Sequence, residues 1–287
     1  MQKLAAQEIL IKQERLLDRL RGVDSLLVAF SGGADSAYLA WAADHVLGSG
    51  ALAVTALSAS FSAHDREQAE LFVRQTAVRH EFLETHELEN PLYVANAGDR
   101  CYHCKSELFT ELDRLAGARK FSAVAYGINA DDVRDYRPGH RAAAEHRVLT
   151  PLLDAGLSKP EIRELSRMAG LVTWDRPASP CLSSRIPYGT PVTMEILSKI
   201  ERAEATLREM GYREFRVRYL GEAARIELGR DELPRALAAN LTGALAERFR
   251  AIGFASISLD PRGYQQGSLN AALQSSLKPL TGTDERP

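Results

Sequence analysis

The stretch Leu26–Ser36 (LLVAFSGGADS) decides the fold of this 287-residue chain. Its first five residues are apolar and suit a buried parallel strand, and apolar residues at helical spacing follow Ser36 until Gly48. A strand that enters a helix through a glycine-rich turn directs unpaired backbone N–H groups and the positive end of the helix dipole toward one point. The stretch therefore predicts an anion-binding turn in an α/β domain.

Residues Ser31–Ser36 (SGGADS) carry the chemistry of this turn. The two glycines have no Cβ, so an anion can approach the backbone closely, and the two serines add hydroxyl donors, while Asp35 can orient water or a metal. No lysine follows the glycines, so this is not the GxxxxGK[ST] loop. The turn resembles the SGGxDS loop of the PP-loop ATP pyrophosphatases, which bind the pyrophosphate of ATP and transfer AMP. The alternative is an ordinary glycine-rich turn with a serine cap.

Composition limits the class of protein. A hydrophobic content of 45% and a net charge of −2 indicate a globular protein with no general affinity for nucleic acid or anionic membranes. No apolar run approaches the length of a membrane span, and the N-terminus lacks the apolar core of a signal peptide. We therefore expect a cytoplasmic protein with neither nucleic acid nor a membrane as partner.

Strands and helices alternate along residues 1–186, which we interpret as a PP-loop domain built on a doubly wound parallel sheet. Ligands of such sheets bind at the carboxyl ends of the strands. After the first strand, the predicted strands are Ala51–Ala59, Glu81–Leu88, Phe121–Gly127 and Arg147–Leu153.

Residues 187–262 are predicted to form a smaller α+β domain, because a run of prolines and glycines between Arg176 and Pro191 ends the alternation. Its predicted elements are a helix at Thr193–Met210, a hairpin of Phe215–Leu220 and Ala224–Leu228, a helix at Asp231–Ile252 broken near Asn240, and a strand at Phe254–Leu259. Residues 263–287, rich in Gly, Ser, Gln and Pro, are expected to be a flexible tail.

Two of the three cysteines are close together in sequence and the third is distant. Cys101 and Cys104 lie at Cys-x-x-Cys spacing at the start of a predicted helix, and Cys181 lies in a proline-rich loop. The first two can converge on one metal centre that the third completes, and Arg100 and Lys105 beside a helix N-terminus favour thiolate over thiol. The residues alone leave incidental cysteines, a reversible disulfide and an inert buried Cys181 as alternatives.

Several segments together resemble the LarE family of ATP-dependent sulfur transferases. They are the loop Ser31–Ser36, DRCYHCKSELF at 99–109, YGINADD at 126–132, Arg137-Pro138-Gly139, and RPASPCLSSRIPYGT at 176–190. The resemblance implies a small-molecule nucleotide substrate, pyridinium-3,5-biscarboxylic acid mononucleotide, whose bis-thiocarboxylic form becomes the nickel-pincer nucleotide cofactor. ATP, with Mg²⁺, adenylates a substrate carboxylate, sulfur attacks and AMP leaves. Family members form hexamers, so a homo-oligomer is expected.

The resemblance also implies roles for the cysteines. In one branch of the family the sulfur comes from the cysteine that matches Cys181, which becomes dehydroalanine; in another branch three cysteines hold a 4Fe–4S cluster that carries an extra sulfide. This chain has cysteines at all three positions, which implies the cluster branch with Cys101, Cys104 and Cys181 as ligands. Cys181 and Asp35 are then the expected catalytic residues.

The remaining expected site residues bind nucleotide or substrate phosphate. The nucleotide set is Ser31, Gly32, Gly33, Asp35, Ser36, Ser58, Asn129 and Asp132. A capped turn is the alternative for Asp132. Arg216 and Arg218 alternate on a predicted strand and so share a face. A matching Arg-x-Arg pair and a serine hold a phosphate in LarE, which implies that role for Ser184, Arg185, Arg216 and Arg218; a solvated edge-strand face is the alternative.

Other interpretations compete with these. A PP-loop enzyme of tRNA thiolation would need a basic groove or an added RNA-binding domain, against which the net charge of −2 argues. A regulator that senses ATP or redox state would bind ATP without turnover. Glu201, Glu204 and Glu227 could bind a metal, but charged helix and hairpin faces carry such residues routinely. Tyr102 stands where some family members have Trp, which leaves the stacking partner of the substrate ring open.

Overall fold

The computed structural model describes residues 2–132 and 138–265. Arg137 of the quoted motif and most of the tail expected at 263–287 lie outside these ranges. The chain divides into two compact units, one of residues 1–94 and 99–182 and one of residues 95–98 and 183–287. Within the described ranges, no helix is both long and apolar enough to cross a bilayer.

The larger unit alternates helices and strands along almost its whole length. Its elements are α1 (Gln2–Arg21), β1 (Leu26–Ala29), α2 (Ala34–Leu47), β2 (Ala51–Leu57), α3 (Ala63–Thr76), β3 (His80–Glu84), α4 (Pro91–Val94), α5 (Arg100–Arg119), β4 (Ala123–Tyr126), α6 (Pro138–Glu145), α7 (Pro151–Asp154) and α8 (Lys159–Met168).

The strands of this unit form a parallel sheet in the order β3-β2-β1-β4. The chain builds the sheet outward from β1 through β2 to β3, then returns to place β4 on the other side of β1. The connections therefore reverse direction between β1 and β4, which is where open α/β sheets bind their ligands. The predicted α/β fold class is confirmed.

Both faces of the sheet are covered, as parallel sheets require. Leu26 and Val28 of β1 pack into a core with α1, α2 and α8, whereas Leu27 and Ala29 pack on the opposite face against α5. This placement explains why the first strand is a continuous apolar run rather than an alternating one.

The predicted strand at Arg147–Leu153 is wrong. Leu149 makes one parallel bridge to Ala125, and α7 begins two residues later at Pro151. Pro151 has no N–H to donate to a neighbouring strand and its fixed φ suits the first turn of a helix, so pairing stops there.

The smaller unit combines helices with a short mixed sheet. Its elements are α9 (Met194–Glu209), β5 (Phe215–Leu220), β6 (Ala223–Leu228), α10 (Leu233–Ala238), α11 (Leu241–Ile252) and β7 (Ser256–Leu259), with the strands in the order β5-β6-β7. The β5–β6 hairpin is antiparallel as predicted, and the left-handed Asn240 separates α10 from α11. Both expectations are confirmed.

Gly127 sets how closely β4 approaches α2 in the larger unit. A Cβ at this position would lie 2.8 Å from the backbone nitrogen of Ser36 and 2.9 Å from its Cα. Real side chains do not tolerate such contacts with backbone, so only glycine lets the end of β4 lie against the first turn of α2.

Gly127→Ala is expected to destabilise the protein by about 1–3 kcal/mol, because the new methyl group forces the loop away from β4. Gly117→Ala is the matched control, since Gly117 lies inside α5 with nothing within 4 Å of its added Cβ. That substitution should stabilise the helix by roughly 0.5–1 kcal/mol. Denaturant titration of the two variants checks this, and equal stabilities would contradict the proposed close approach.

Candidate active site

The PP-loop leaves β1 and enters α2 at the carboxyl edge of the sheet. Gly32 has φ +73°, and Gly33, which has no side chain, is the N-cap of α2. Ser36 Oγ accepts from the backbone N–H of Ser31, donates to the carbonyl of Gly33 and lies 3.1 Å from Ser31 Oγ. The loop thus gathers two hydroxyl groups at the N-terminus of a helix, an arrangement suited to phosphate oxygens.

Asp35 links this loop to the end of β4. Asn129 Nδ2 donates to Asp35 Oδ2 at 3.2 Å, and Asn129 is 1% exposed. The other oxygen, Oδ1, is buried and has no hydrogen-bond partner within residues 2–132 and 138–265. Burial raises the pKa of Asp35, and the charge of Asp132 acts in the same direction, against the opposing charge of Lys159. A half-buried carboxylate with such an oxygen is suited to accept a cation or a water molecule.

The segment after β4 is a capped turn that also brings acidic groups to the same edge. Asp132 Oδ2 accepts from the backbone N–H of Asn129 at 3.2 Å, and Asn129 Oδ1 accepts from that of Asp131 at 2.9 Å. Lys159, at the start of α8, donates its backbone N–H to Asp131 and places its Nζ 3.8 Å from Asp35 Oδ2. Asp132 therefore caps the turn, which was the alternative to a nucleotide-binding role. It also lies close enough for its charge to act on Asp35.

The loop that carries Cys181 is tied to the end of β2. The backbone N–H of Leu182 donates to the carbonyl of Ser60 at 2.9 Å, and Ser60 Oγ lies 3.1 Å from Ser58 Oγ. Ser58 follows β2 directly, so this part of the expected nucleotide set lies at the same sheet edge as the PP-loop.

Cys101 and Cys104 lie in the first turns of α5, as predicted, and no disulfide joins them to each other or to Cys181. Arg100, 4% exposed, directs its Nη2 to Cys101 Sγ at 3.9 Å. Burial alone would lower the pKa of Arg100, but the charges of Cys181 and Cys101 outweigh it and raise that pKa. The structure thus brings Cys101 and Cys181 within electrostatic reach of one buried guanidinium.

The expectation that the helix N-terminus favours thiolate is wrong for Cys104. Burial raises the pKa of this thiol, and the charges of Glu87 and Cys181 add to the effect. Glu87 is itself buried, which raises its pKa, and its Oε1 lies 3.8 Å from Cys104 Sγ. Low dielectric and a neighbouring carboxyl group therefore outweigh the helix dipole and Lys105 at this position.

Among the described residues, no group of three or more His, Cys, Asp and Glu side chains is placed to hold a metal ion. The donor set nevertheless suits an iron–sulfur centre, because its members are thiols and Arg100 supplies a buried positive charge against the negative charge of such a centre. The 4Fe–4S cluster stays a prediction.

Tyr102 and His103, which lie between the first two cysteines in the sequence, contact side chains other than the cysteines. Tyr102 donates its hydroxyl to Glu145 at 2.7 Å, and Arg141 lies 3.8 Å from the centre of its ring. His103 lies 3.3 Å from Asp99 Oδ2. Tyr102 therefore ties α5 to α6 through one face of its ring and its hydroxyl group.

The smaller unit contains a cluster of buried arginines, two on β5 and one at Arg185. Arg185 is 2% exposed, and its guanidinium donates to both carboxylate oxygens of Glu204 at 2.9 and 3.1 Å. Arg218 donates to Glu227 Oε2 at 2.9 Å and to the carbonyl of Ser184 at 2.8 Å. Ser184 Oγ lies 3.0 Å from Arg185 Nη1.

Arg216 completes this cluster. It is 5% exposed, and its guanidinium lies 4.6 Å from the centre of the Tyr264 ring. Burial lowers the pKa of Arg216, and the charges of Arg185 and Arg218 lower it further. The solvated edge-strand alternative is therefore wrong, because these arginines are buried. The guanidinium groups of Arg185, Arg216 and Arg218 thus lie in one cluster, a concentration of donors suited to a bound anion.

Comparison with known proteins identifies the family. A protein of Lactiplantibacillus plantarum named pyridinium-3,5-bisthiocarboxylic acid mononucleotide synthase is 31% identical over 263 residues, which cover 91% of this chain and 95% of that protein. This chain belongs to the LarE family of sulfur transferases. A protein of Synechocystis, named as uncharacterized, is 43% identical over 262 residues, 91% of this chain and 98% of its own. No protein-family model matches the chain.

A more distant match covers part of the chain. A Methanocaldococcus jannaschii protein, also named as uncharacterized, is 28% identical over 172 residues, 60% of this chain and 66% of its own. The family assignment rests on the Lactiplantibacillus protein, because that match runs through both compact units.

Sequence reasoning assigned no role to three residues of this candidate site. Gly127 and Lys159 lie against the PP-loop, and Arg176 donates to the carbonyl of Gly32. Gly127 and Arg176 stood within the quoted family motifs, so the motifs pointed at them. Their contacts are long-range, however, and spacing along the chain does not reveal which loop a side chain reaches.

Glu204→Gln is expected to destabilise the protein by about 3–5 kcal/mol, because it leaves the buried charge of Arg185 without its carboxylate. Burial alone would raise the pKa of Glu204, but Arg185 outweighs it and holds that pKa below the ordinary value of 4.5. The contribution of Glu204 is therefore complete above pH 4.5 and is lost as pH falls through the lower, folded-state pKa.

Denaturant titrations at neutral and acidic pH check this prediction. Glu209→Gln is the control, because Glu209 lies on the same helix and its ion pair with Arg248 is exposed. That variant should lose no more than about 1 kcal/mol. A Glu204→Gln variant as stable as the control, with the acid sensitivity of the parent, would contradict the role of Glu204.

Proposed function

We propose that this protein is an ATP-dependent sulfur transferase that adenylates a carboxylate of pyridinium-3,5-biscarboxylic acid mononucleotide and replaces it by a thiocarboxylate. The product would be the bisthiocarboxylic acid mononucleotide for which the Lactiplantibacillus relative is named. It would serve the synthesis of the nickel-pincer nucleotide cofactor. The observation that carries the proposal is the meeting of the PP-loop, Asp35 and Asn129 at the reversal point of the sheet.

The adenylation step follows from the groups at this edge. A carboxylate resists nucleophiles, so a substrate carboxylate oxygen first attacks the α-phosphorus of ATP, and pyrophosphate leaves with the bond's electron pair. Ser31, Ser36 and the backbone N–H groups at the start of α2 would receive the pyrophosphate oxygens. Lys159 adds a positive charge beside Asp35. Asp35 and Asp132 would hold Mg²⁺, which offsets the phosphate charge when it is bound with ATP.

The sulfur step follows on the acyl-adenylate. A sulfur nucleophile attacks the activated carbonyl carbon, and AMP leaves with the electrons of the broken C–O bond. Cys101, Cys104 and Cys181 would hold a 4Fe–4S cluster, which supplies sulfide when it is bound. Arg100 would offset negative charge beside these ligands. A cluster that is recharged with sulfide allows repeated turnover, whereas sulfur taken from Cys181 itself allows only one.

The substrate's own phosphate needs a separate anion site. Ser184, Arg185, Arg216 and Arg218 of the smaller unit would provide it. Glu204 and Glu227 hold two of these guanidinium groups in fixed positions, so the site is organised before the phosphate binds.

Asp35→Asn should reduce pyrophosphate release by about 10²-fold or more, because the carboxylate charge beside the loop is lost. Asp44→Asn, on the same helix near its C-terminal end, should leave the rate unchanged. A coupled pyrophosphate assay with the mononucleotide checks both. An unchanged rate in Asp35→Asn would remove this residue from the mechanism, and release with unmodified tRNA alone would favour a tRNA thiolation enzyme.

Protein purified without oxygen should contain about four irons and the matching acid-labile sulfide per chain, with a visible iron–sulfur spectrum. Cys104→Ser should lose this iron, because it removes one ligand. His103→Ala should retain it, because His103 is outside the proposed ligand set. Absence of iron after reconstitution would contradict the cluster, and a protein lighter by one hydrogen sulfide after turnover would identify Cys181 as the sulfur source.

A further inference from the structure

Arg176 connects the PP-loop to the segment that carries Cys181. One end of its guanidinium, Nη1, donates to the carbonyl of Gly32, and the other, Nη2, donates to Asp65 Oδ1 at 2.6 Å. The side chains of Arg176 and Asp65 are 11% and 9% exposed. A planar guanidinium held at two points in a buried place keeps a defined orientation and fixes the groups it touches.

The contacts around Arg176 are themselves fixed. Ser62 Oγ donates to Asp65 Oδ2 at 2.6 Å and accepts from the backbone N–H of Asp65 at 3.0 Å, at the start of α3. A Cβ added at Gly32 would lie 3.0 Å from Arg176 Nη1, at a φ of +73° that disfavours side chains. The glycine therefore provides the space in which the guanidinium reaches the loop backbone.

The segment that follows is short and anchored at its other end. Five residues separate Arg176 from Leu182, whose backbone N–H donates to Ser60 at the end of β2. Pro177 and Pro180 lie between the anchors, and proline fixes φ. A segment this short, held at both ends, leaves Cys181 little freedom to move relative to its two anchors.

The α8 helix holds the same segment from a third direction. Arg163 donates to the carbonyl oxygens of Trp174 and Arg176 at 3.0 and 2.5 Å. Lys159, one turn earlier on that helix, lies beside Asp35. Arg176 thus stands where the loop, the helix beside Asp35 and the cysteine segment meet.

We infer that Arg176 is a positioning residue that couples occupancy of the PP-loop to the placement of Cys181. An anion received by the backbone of the loop changes the position of the Gly32 carbonyl, and Arg176 passes that change to the cysteine segment. The inference rests on the proposed function in one respect, namely that a nucleotide occupies the loop. Its consequence is that the sulfur-bearing site is aligned when the nucleotide is bound.

Hydrogen–deuterium exchange of the amides in residues 176–183 tests this coupling without depending on the state of the cysteines. In the parent protein, a saturating non-hydrolysable ATP analogue should slow exchange at Leu182 by about fivefold or more, a typical coupling between two sites. For each protein we compare the exchange rate without the analogue with the rate at saturation. In Arg176→Gln the ratio of these two rates should fall close to one. Arg167→Gln, an exposed arginine of α8 paired with Glu164, should keep the parent's ratio.

The outcomes separate coupling from simple destabilisation. A purely structural role would raise exchange in Arg176→Gln with and without the analogue and leave their ratio unchanged, which would overturn the inference. If that variant does not fold, Arg176→Lys decides, because one ammonium group cannot reproduce the two-ended contact and the ratio should fall at least by half. If the analogue binds the parent protein but does not slow exchange at Leu182, the coupling is overturned and the proposed function is not. If the analogue does not bind at all, the proposed function is overturned.

Discussion

The close approach of β4 to the first turn of α2 is the constraint on which the candidate site depends. Because Gly127 has no side chain, the end of β4 lies against the backbone of Ser36, and Asn129 reaches Asp35. The loop, the buried carboxylate and the acidic turn after β4 then share one edge of the sheet. A sheet that reversed direction elsewhere would separate these groups, so topology and close packing together create the site.

The two units contain different arrangements of buried charged groups. In the larger unit, one oxygen of the Asp35 carboxylate is buried and has no hydrogen-bond partner among the described residues, and burial raises the pKa of Asp35. In the smaller unit, Glu204 and Glu227 hold Arg185 and Arg218, and Arg216 is buried in the same cluster. Buried charge costs free energy unless it is compensated, so each arrangement is suited to a ligand of the opposite charge. A cation suits the first and a phosphate suits the second.

The sequence predicted the parts of the fold that depend on local patterns. The apolar run 26–30, the turn at 31–36, the hairpin at Gly221 and the break at Asn240 each carry their signal within a few residues. The strand predicted at Arg147–Leu153 failed because Pro151, which has no N–H to donate and a φ that suits a first helical turn, ends the pairing after Leu149. The thiolate expected at Cys104 failed because burial and Glu87, 17 residues away along the chain, determine its protonation.

For the candidate site, the family motifs identified more residues than the hydrophobic periodicity did, because a motif marks residues by their type and spacing whatever they contact. The motifs did not show that Arg185 and Arg218 are buried against Glu204 and Glu227, or that Arg176 reaches Gly32. Such contacts join residues that are far apart in sequence, and only the folded chain displays them.

The most direct test of the proposed sulfur transfer measures what the substrate is converted to. Protein purified without oxygen is incubated with ATP, Mg²⁺ and pyridinium-3,5-biscarboxylic acid mononucleotide, and the products are analysed by mass spectrometry and nucleotide chromatography. A sulfur transferase of the proposed kind yields a mononucleotide in which carboxylate oxygen is replaced by sulfur, with one AMP formed for each oxygen replaced. AMP formation without sulfur in the mononucleotide, or an unchanged mononucleotide with intact ATP, would contradict the proposed sulfur transfer.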